Sequence, residues 1–248
     1  MASVYWSRWV KSARPDVVPQ IQPLKILIKE PQPILQLINR QADYMNMSGS
    51  SCPAVVEFLR DVYVIRAAFD FELRLNEYKN DMLYFGPKVS SNAGVELGYS
   101  RSKLTKDKPF TFTSSPDYIF YSNEDVVIEV LPLMLITSNS AKNIAIVPGS
   151  FNIGKWIRPL DFTFDVLDVN TPTVIKEGDP LFCIRFRAAD GKKIKLEHRE
   201  VTKEIEDAAD TCVNLKMFKK RLPLAASYEI VKDYIRKLSF MKRCPWHK

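Results

Sequence analysis

Phe162-Thr163-Phe164-Asp165-Val166, followed after a turn by Ile175-Lys176-Glu177-Gly178-Asp179-Pro180-Leu181-Phe182-Cys183-Ile184-Arg185-Phe186, decides the fold. Phe162, Phe164 and Val166 recur with period two, the spacing at which side chains share one face of a strand. Asp168 to Pro172 supplies a turn, and the Gly178-Asp179-Pro180 corner introduces a second strand. Immediately upstream, Pro148 to Leu160 is the densest block of the chain, and its Phe151 and Ile153 read as strand residues.

The same signal extends outward. Phe69, Phe71, Leu73 and Leu75 point one way while Asp70, Glu72, Arg74 and Asn76 point the other, as in a half-buried strand. Phe110–Thr113, Tyr118–Tyr121, Val126–Ile136 and Ile144–Val147 are β-branched or aromatic segments, with Pro132 marking a bulge or edge in the third. Lys79 to Lys108 is polar and broken by Gly86, Pro87, Gly94 and Gly98, which predicts turns around one or two short strands. Asp190-Gly191 makes a tight turn before Ile194 to Leu196.

Helical spacing appears at three places. Pro53 suits the first turn of a short helix over Pro53–Arg60. Thr202 caps a helix whose Ile205, Ala208, Ala209, Cys212 and Leu215 form an apolar stripe, with acids early and lysines late. A further helix opens at Pro223 and places Leu224, Tyr228, Val231, Ile235 and Leu238 on one face. Before Cys52, Pro15, Pro19, Pro23, Pro31 and Pro33 interrupt any pattern, leaving an edge strand over Leu24–Ile28 and a helical turn or two over Pro33–Arg40. The expected organisation is therefore a proline-rich arm over residues 1–51, a β-sandwich core over 52–198, and a basic helical section over 199–248 packed on the core. The fold class is mainly β with C-terminal helices, an antiparallel, jelly-roll-like sandwich.

Composition narrows the function classes. The chain has 248 residues, 46% of them hydrophobic, enough for a substantial core. Its most apolar run, Val126–Ile136, is broken by Glu129 and Pro132 and is too short to span a membrane, and residues 1–10 lack a signal-peptide pattern. The expected location is a virion or a host cytoplasm. Cys52, Cys183, Cys212 and Cys244 are scattered and read as reduced thiols. The net charge of +7 is concentrated at one end: residues 192–248 hold 15 Lys or Arg against 8 Asp or Glu, and the rest of the chain holds 21 of each. Such a footprint suits phosphate, an acidic partner or a neighbouring subunit.

Catalytic material is sparse. The two histidines, His198 and His247, form no metal-ligand spacing with each other or with the thiols, and no glycine series cradles phosphate. No catalytic residue, cofactor or metal is assigned. The acid pairs Asp70 with Glu72 and Asp161 with Asp165 fit general acid–base work, but an exposed strand face explains them equally. Trp156 and Arg158, two apart on an expected strand, would stack a base or sugar, or else close the end of the core with the Arg packed over the ring.

At Gly154-Lys155-Trp156-Ile157-Arg158-Pro159-Leu160-Asp161 and at Lys176 to Phe186, the chain resembles uncharacterised jelly-roll proteins of tailed bacteriophages, marine ones especially. The resemblance spans about half the chain and implies a β-sandwich in a viral setting. Gly178-Asp179-Pro180-Leu181-Phe182 also looks like a strand start in trimeric dUTPase-type barrels. The aspartate-bearing loop of those enzymes is absent before it, and Cys183 stands where they carry glutamine. The leading expectation is a non-enzymatic structural or interaction protein, an accessory component of a phage particle whose partners are other subunits. Its partner-binding residues would be Trp6 and Trp9 on the arm and Lys216, Lys219, Lys220, Arg221, Arg236, Lys237, Lys242 and Arg243 on the basic section. The alternatives are a nucleotide- or sugar-acting enzyme with a jelly-roll cleft, and a nucleic-acid binder using the basic helices.

Overall fold

A computed structural model describes residues 1–8, 29–40, 52–68, 70–79, 82–89, 101–103, 110–114, 118–136, 138, 140–168, 170–219 and 222–238. The first half contains β1 (Ala2–Arg8), β2 (Gln32–Pro33), α1 (Ile34–Arg40), α2 (Pro53–Leu59), β3 (Val62–Arg66), β4 (Phe71–Lys79), β5 (Met82–Val89), β6 (Arg101–Lys103), β7 (Phe110–Ser114) and β8 (Tyr118–Tyr121). The second contains β9 (Val126–Leu131), β10 (Ile144–Ile146), β11 (Gly149–Asn152), β12 (Phe162–Val166), β13 (Thr173–Ile175), β14 (Pro180–Ala188), β15 (Ile194–His198), α3 (Lys203–Phe218) and α4 (Leu224–Arg236).

The strands form four sheets, ordered β11-β9-β14-β3-β2, β13-β4-β5-β6, β10-β12-β7 and β15-β1-β8. The first three are antiparallel throughout. Their inward rows meet in one core, where Phe162 of β12 stacks on Phe182 of β14 with ring centroids 4.6 Å apart. β8 and β14 are buried on both faces, which explains why their sequences run apolar without alternation. The second face of β14 and β3 packs Cys183, Val62 and Val64 against α1 and α2. The second face of β8 packs Ile119 and Tyr121 against Ile205, Ala209 and Cys212 of α3 and Val231 and Ile235 of α4.

Most expected elements are present, the helix over Pro53–Leu59 and both C-terminal helices included. The Gly178 and Gly191 turns adopt φ of +84° and +70°, the left-handed region glycine reaches without strain. Pro132 ends β9 after Leu131 instead of bulging it. The expected strand through Trp156 and Arg158 is not one: a turn after β11 leads into irregular chain, because Gly154 turns the backbone and Pro159 supplies only an isolated bridge to Ile119. The expected edge strand over Leu24–Ile28 lies outside the described residues.

The largest departure is at the beginning of the chain. Residues 2–8, assigned from sequence to a proline-rich arm, form β1, parallel to β15 and antiparallel to β8. No proline falls within them, and Ala2, Val4 and Trp6 are buried at period two. Trp6, expected at a partner surface, lies in this chain's own core, stacked on Tyr118 at 5.4 Å and edge-on to His198 at 4.8 Å. The parallel pairing also departs from an all-antiparallel sandwich.

Deleting residues 2–8 is therefore expected to abolish cooperative unfolding, where an arm would leave the core intact. Trp6→Ala should cost about 3–5 kcal/mol in urea denaturation, the usual loss for a large buried aromatic side chain.

Candidate functional site

Where β8 stops, two side chains continue the pairing of β1. The Ser122 hydroxyl donates to the Ser3 carbonyl at 2.7 Å, and the Ser3 N–H donates to Glu124 Oε1 at 3.2 Å. Both backbone groups of Ser3 are thereby satisfied on that side. The β8–β9 turn is fixed against β1 and stands beside the turn that follows β11. In that second turn Asn152 Oδ1 accepts from the Gly154 N–H at 2.9 Å, and Asn152 Nδ2 donates to Asp125 at 3.1 Å. The two turns touch so closely that a Cβ on Gly154 would sit 2.2 Å from the Glu124 carbonyl oxygen. Helix α4 is tied to the same turn, since the Asn152 N–H donates to the Tyr228 hydroxyl at 2.8 Å.

These turns, the β14–β15 turn and one flank of α4 enclose a cleft of about 740 Å³, within the range of small-molecule sites. Its small or apolar lining is Gly154, Ala188, Ala189, Ala225 and Ile235. Its rim is charged and largely paired. Lys155 meets Asp125 at 2.8 Å, Lys232 meets Glu229 at 2.8 Å, and Lys192 is shared between Asp190 at 2.7 Å and Glu124 at 3.4 Å. Arg236 has no ion-pair partner among the described residues. The Lys192 ammonium and N–H hold the Asp190 carboxyl below its ordinary value, and Lys232 does the same for Glu229.

The acids singled out from sequence do not converge. Asp161 is held by Arg158 and by Lys216 of α3, while Asp165 accepts from the Thr111 hydroxyl of β7 at 2.6 Å. Asp70 accepts from the Glu177 N–H at 2.7 Å and from Lys176, which lower its pKa. Trp156 is buried, and the Arg158 guanidinium lies 5.4 Å from the Phe151 ring centroid. Among the described residues no group of three or more His, Cys, Asp or Glu is placed to hold a metal ion. Burial pushes the Cys183 thiol up to about 11 and the Cys212 thiol up to about 12, so neither is a ready nucleophile at neutral pH.

The basic residues expected to act together are dispersed. Lys216 is spent on Asp161, Lys219 sits at the end of α3 beside the start of α4, and Arg236 and Lys237 close the far end of α4. The 13 residues of α4 separate these groups by roughly 20 Å. Trp9, Lys220, Arg221, Lys242 and Arg243 lie outside the described residues. The cleft joins four distant segments, which no local pattern in the sequence reveals; Gly154, between Ile153 and Lys155, is the one residue whose need for space points to it.

No protein-family model matches the chain, and no curated protein matches it in sequence.

Gly154→Ala should destabilise the protein by about 1–3 kcal/mol, because the obstruction is a backbone carbonyl that cannot rotate aside; chemical denaturation measures it. The lowered carboxyls set the response to acid. Asp70, Asp168, Asp190 and Glu229 have folded-state values below their ordinary 3.8 or 4.5. Their contribution is complete above those ordinary values and is lost as pH falls through the lower folded ones. The melting temperature should therefore hold down to about pH 5 and fall below about pH 4. The fall should be shallower in Asp168→Asn, whose native partners are the Thr171 hydroxyl and the Asn170 N–H.

Proposed function

We propose that the protein is a non-enzymatic structural or interaction protein, an accessory component of a tailed-phage particle built on a jelly-roll-like sandwich. The observation that carries this reading is the state of the carboxylates around the cleft. Glu124, Asp125, Asp190 and Glu229 are each engaged by a lysine, and Asp190 and Glu229 are shifted down. General acid–base catalysis near neutral pH needs a carboxyl moved up toward the working pH. At Asp190 and Glu229 the pairing works against proton transfer, and the pairs hold the surface in shape.

The phage setting rests on the two sequence blocks around Trp156 and Pro180. The jelly-roll reading draws support from the antiparallel five-stranded sheet facing β10-β12-β7 across a shared aromatic core. In this reading β1 and its parallel partner β15 are an addition to the sandwich. Ile230 and Tyr234 leave apolar surface exposed on α4, on the side of Lys237, and offer a subunit contact. The acids of the enzyme reading, Asp161 and Asp165, are held by different partners, and the nucleic-acid reading lacks a contiguous basic face among the described residues.

Mass spectrometry of gradient-purified particles is the test. The chain should be present at a fixed ratio to the major particle proteins and should survive a high-salt wash. Its confinement to the soluble fraction would overturn the particle assignment.

A further inference from the structure

The charges around the cleft are unequally divided between its two walls. The wall made by the β-turns carries Glu124, Asp125 and Asp190 against Lys155 and Lys192, one negative charge in excess. The wall made by α4 carries Lys232 and Arg236 against Glu229, one positive charge in excess. The excess on the turn wall arises because Lys192 serves two carboxylates, Asp190 at 2.7 Å and Glu124 at 3.4 Å. The excess on the helix wall is Arg236.

We propose that this cleft binds a small zwitterion, a free amino acid or a short peptide. The ligand's ammonium lies toward the turn wall and its carboxylate is taken by Arg236. A guanidinium accepts a carboxylate through two parallel hydrogen bonds, stronger than a neutral pair. The other charge classes fit less well. A polyanion such as a nucleoside triphosphate would meet three carboxylates on one wall, and a simple cation would meet two ammonium groups there and a guanidinium opposite. Ala188, Ala189 and Ala225 give the lining small apolar surface against which a short apolar side chain can lie. The proposal does not depend on the particle assignment.

The test is calorimetric titration of the full chain with alanine and with trialanine, alongside N-acetyl-trialanine and trialanine amide. Saturable binding of alanine, trialanine or both is expected, the pattern identifying the free amino acid or the peptide as the source. Blocking either end of the bound probe should weaken it at least about tenfold, a typical loss for one charge-assisted contact. Arg236→Gln should weaken the free peptide by a similar factor yet leave trialanine amide unchanged, and Arg236→Lys should restore part of the affinity. Arg236 is exposed and makes no ion pair among the described residues, so these variants should melt like the parent. Absence of binding by both free probes, equal binding of free and blocked forms, or indifference to Arg236→Gln would each overturn the proposal.

Discussion

β1 is held between strands that the chain supplies more than a hundred residues away on one side and nearly two hundred on the other. Its register runs from Ala2 opposite Ile194 to Trp6 opposite His198, while Tyr5 to Arg8 pair with Tyr121 to Tyr118. Most other features lean on that placement. One face of the strand gives Ala2, Val4 and Trp6 to the central core. The other gives Tyr5 to the layer under the C-terminal helices, where it packs near Tyr121 and carries the Arg199 guanidinium 3.8 Å above its ring. The β8–β9 turn takes its position from the Ser3 backbone, and the cleft takes one wall from that turn.

Sequence periodicity made the two-faced elements legible. β12 shows clean alternation because one row meets the core and the other holds Thr163 and Asp165, and α3 shows its stripe because Ile205, Ala208, Ala209 and Cys212 all turn inward. β1 was obscured for a local reason: seven residues with a single short alternation are followed by a proline-dense segment, and the prolines dominated the reading. Its parallel partner could not have been found, since nothing in Ala2–Arg8 names Ile194–His198. The Trp156 and Arg158 spacing misled for the opposite reason. Two large side chains two apart suggest a strand, but here the preceding turn and Pro159 keep the backbone irregular, and the Trp is fixed by its N–H donating to the Asn152 carbonyl and by burial beside Tyr228.

The basic end of the chain shows how far a charge count can stand from a charged surface. The excess positive charge is real as composition, yet Lys192, Lys195, Lys203, Lys216 and Lys232 are each drawn into an ion pair with a neighbouring acid. Exposed pairs of this kind add little stability individually. Their effect is to fix where the remaining charge is felt, and in the cleft Arg236 stands out because Lys155, Lys192 and Lys232, which line it too, are already paired.

The placement of β1 also has a consequence in time. β1 is synthesised well before its parallel partner, which is made about 190 residues later, a delay on the order of ten to forty seconds at ordinary elongation rates. Throughout that interval the nascent chain carries Val4, Tyr5 and Trp6 without the strand that will cover one edge of them. Contacts of such long sequence separation are also the slowest to close in a free chain. The fold thus makes β1 wait for β15, and through that interval one edge of the strand stays open to a chaperone or to a wrong partner.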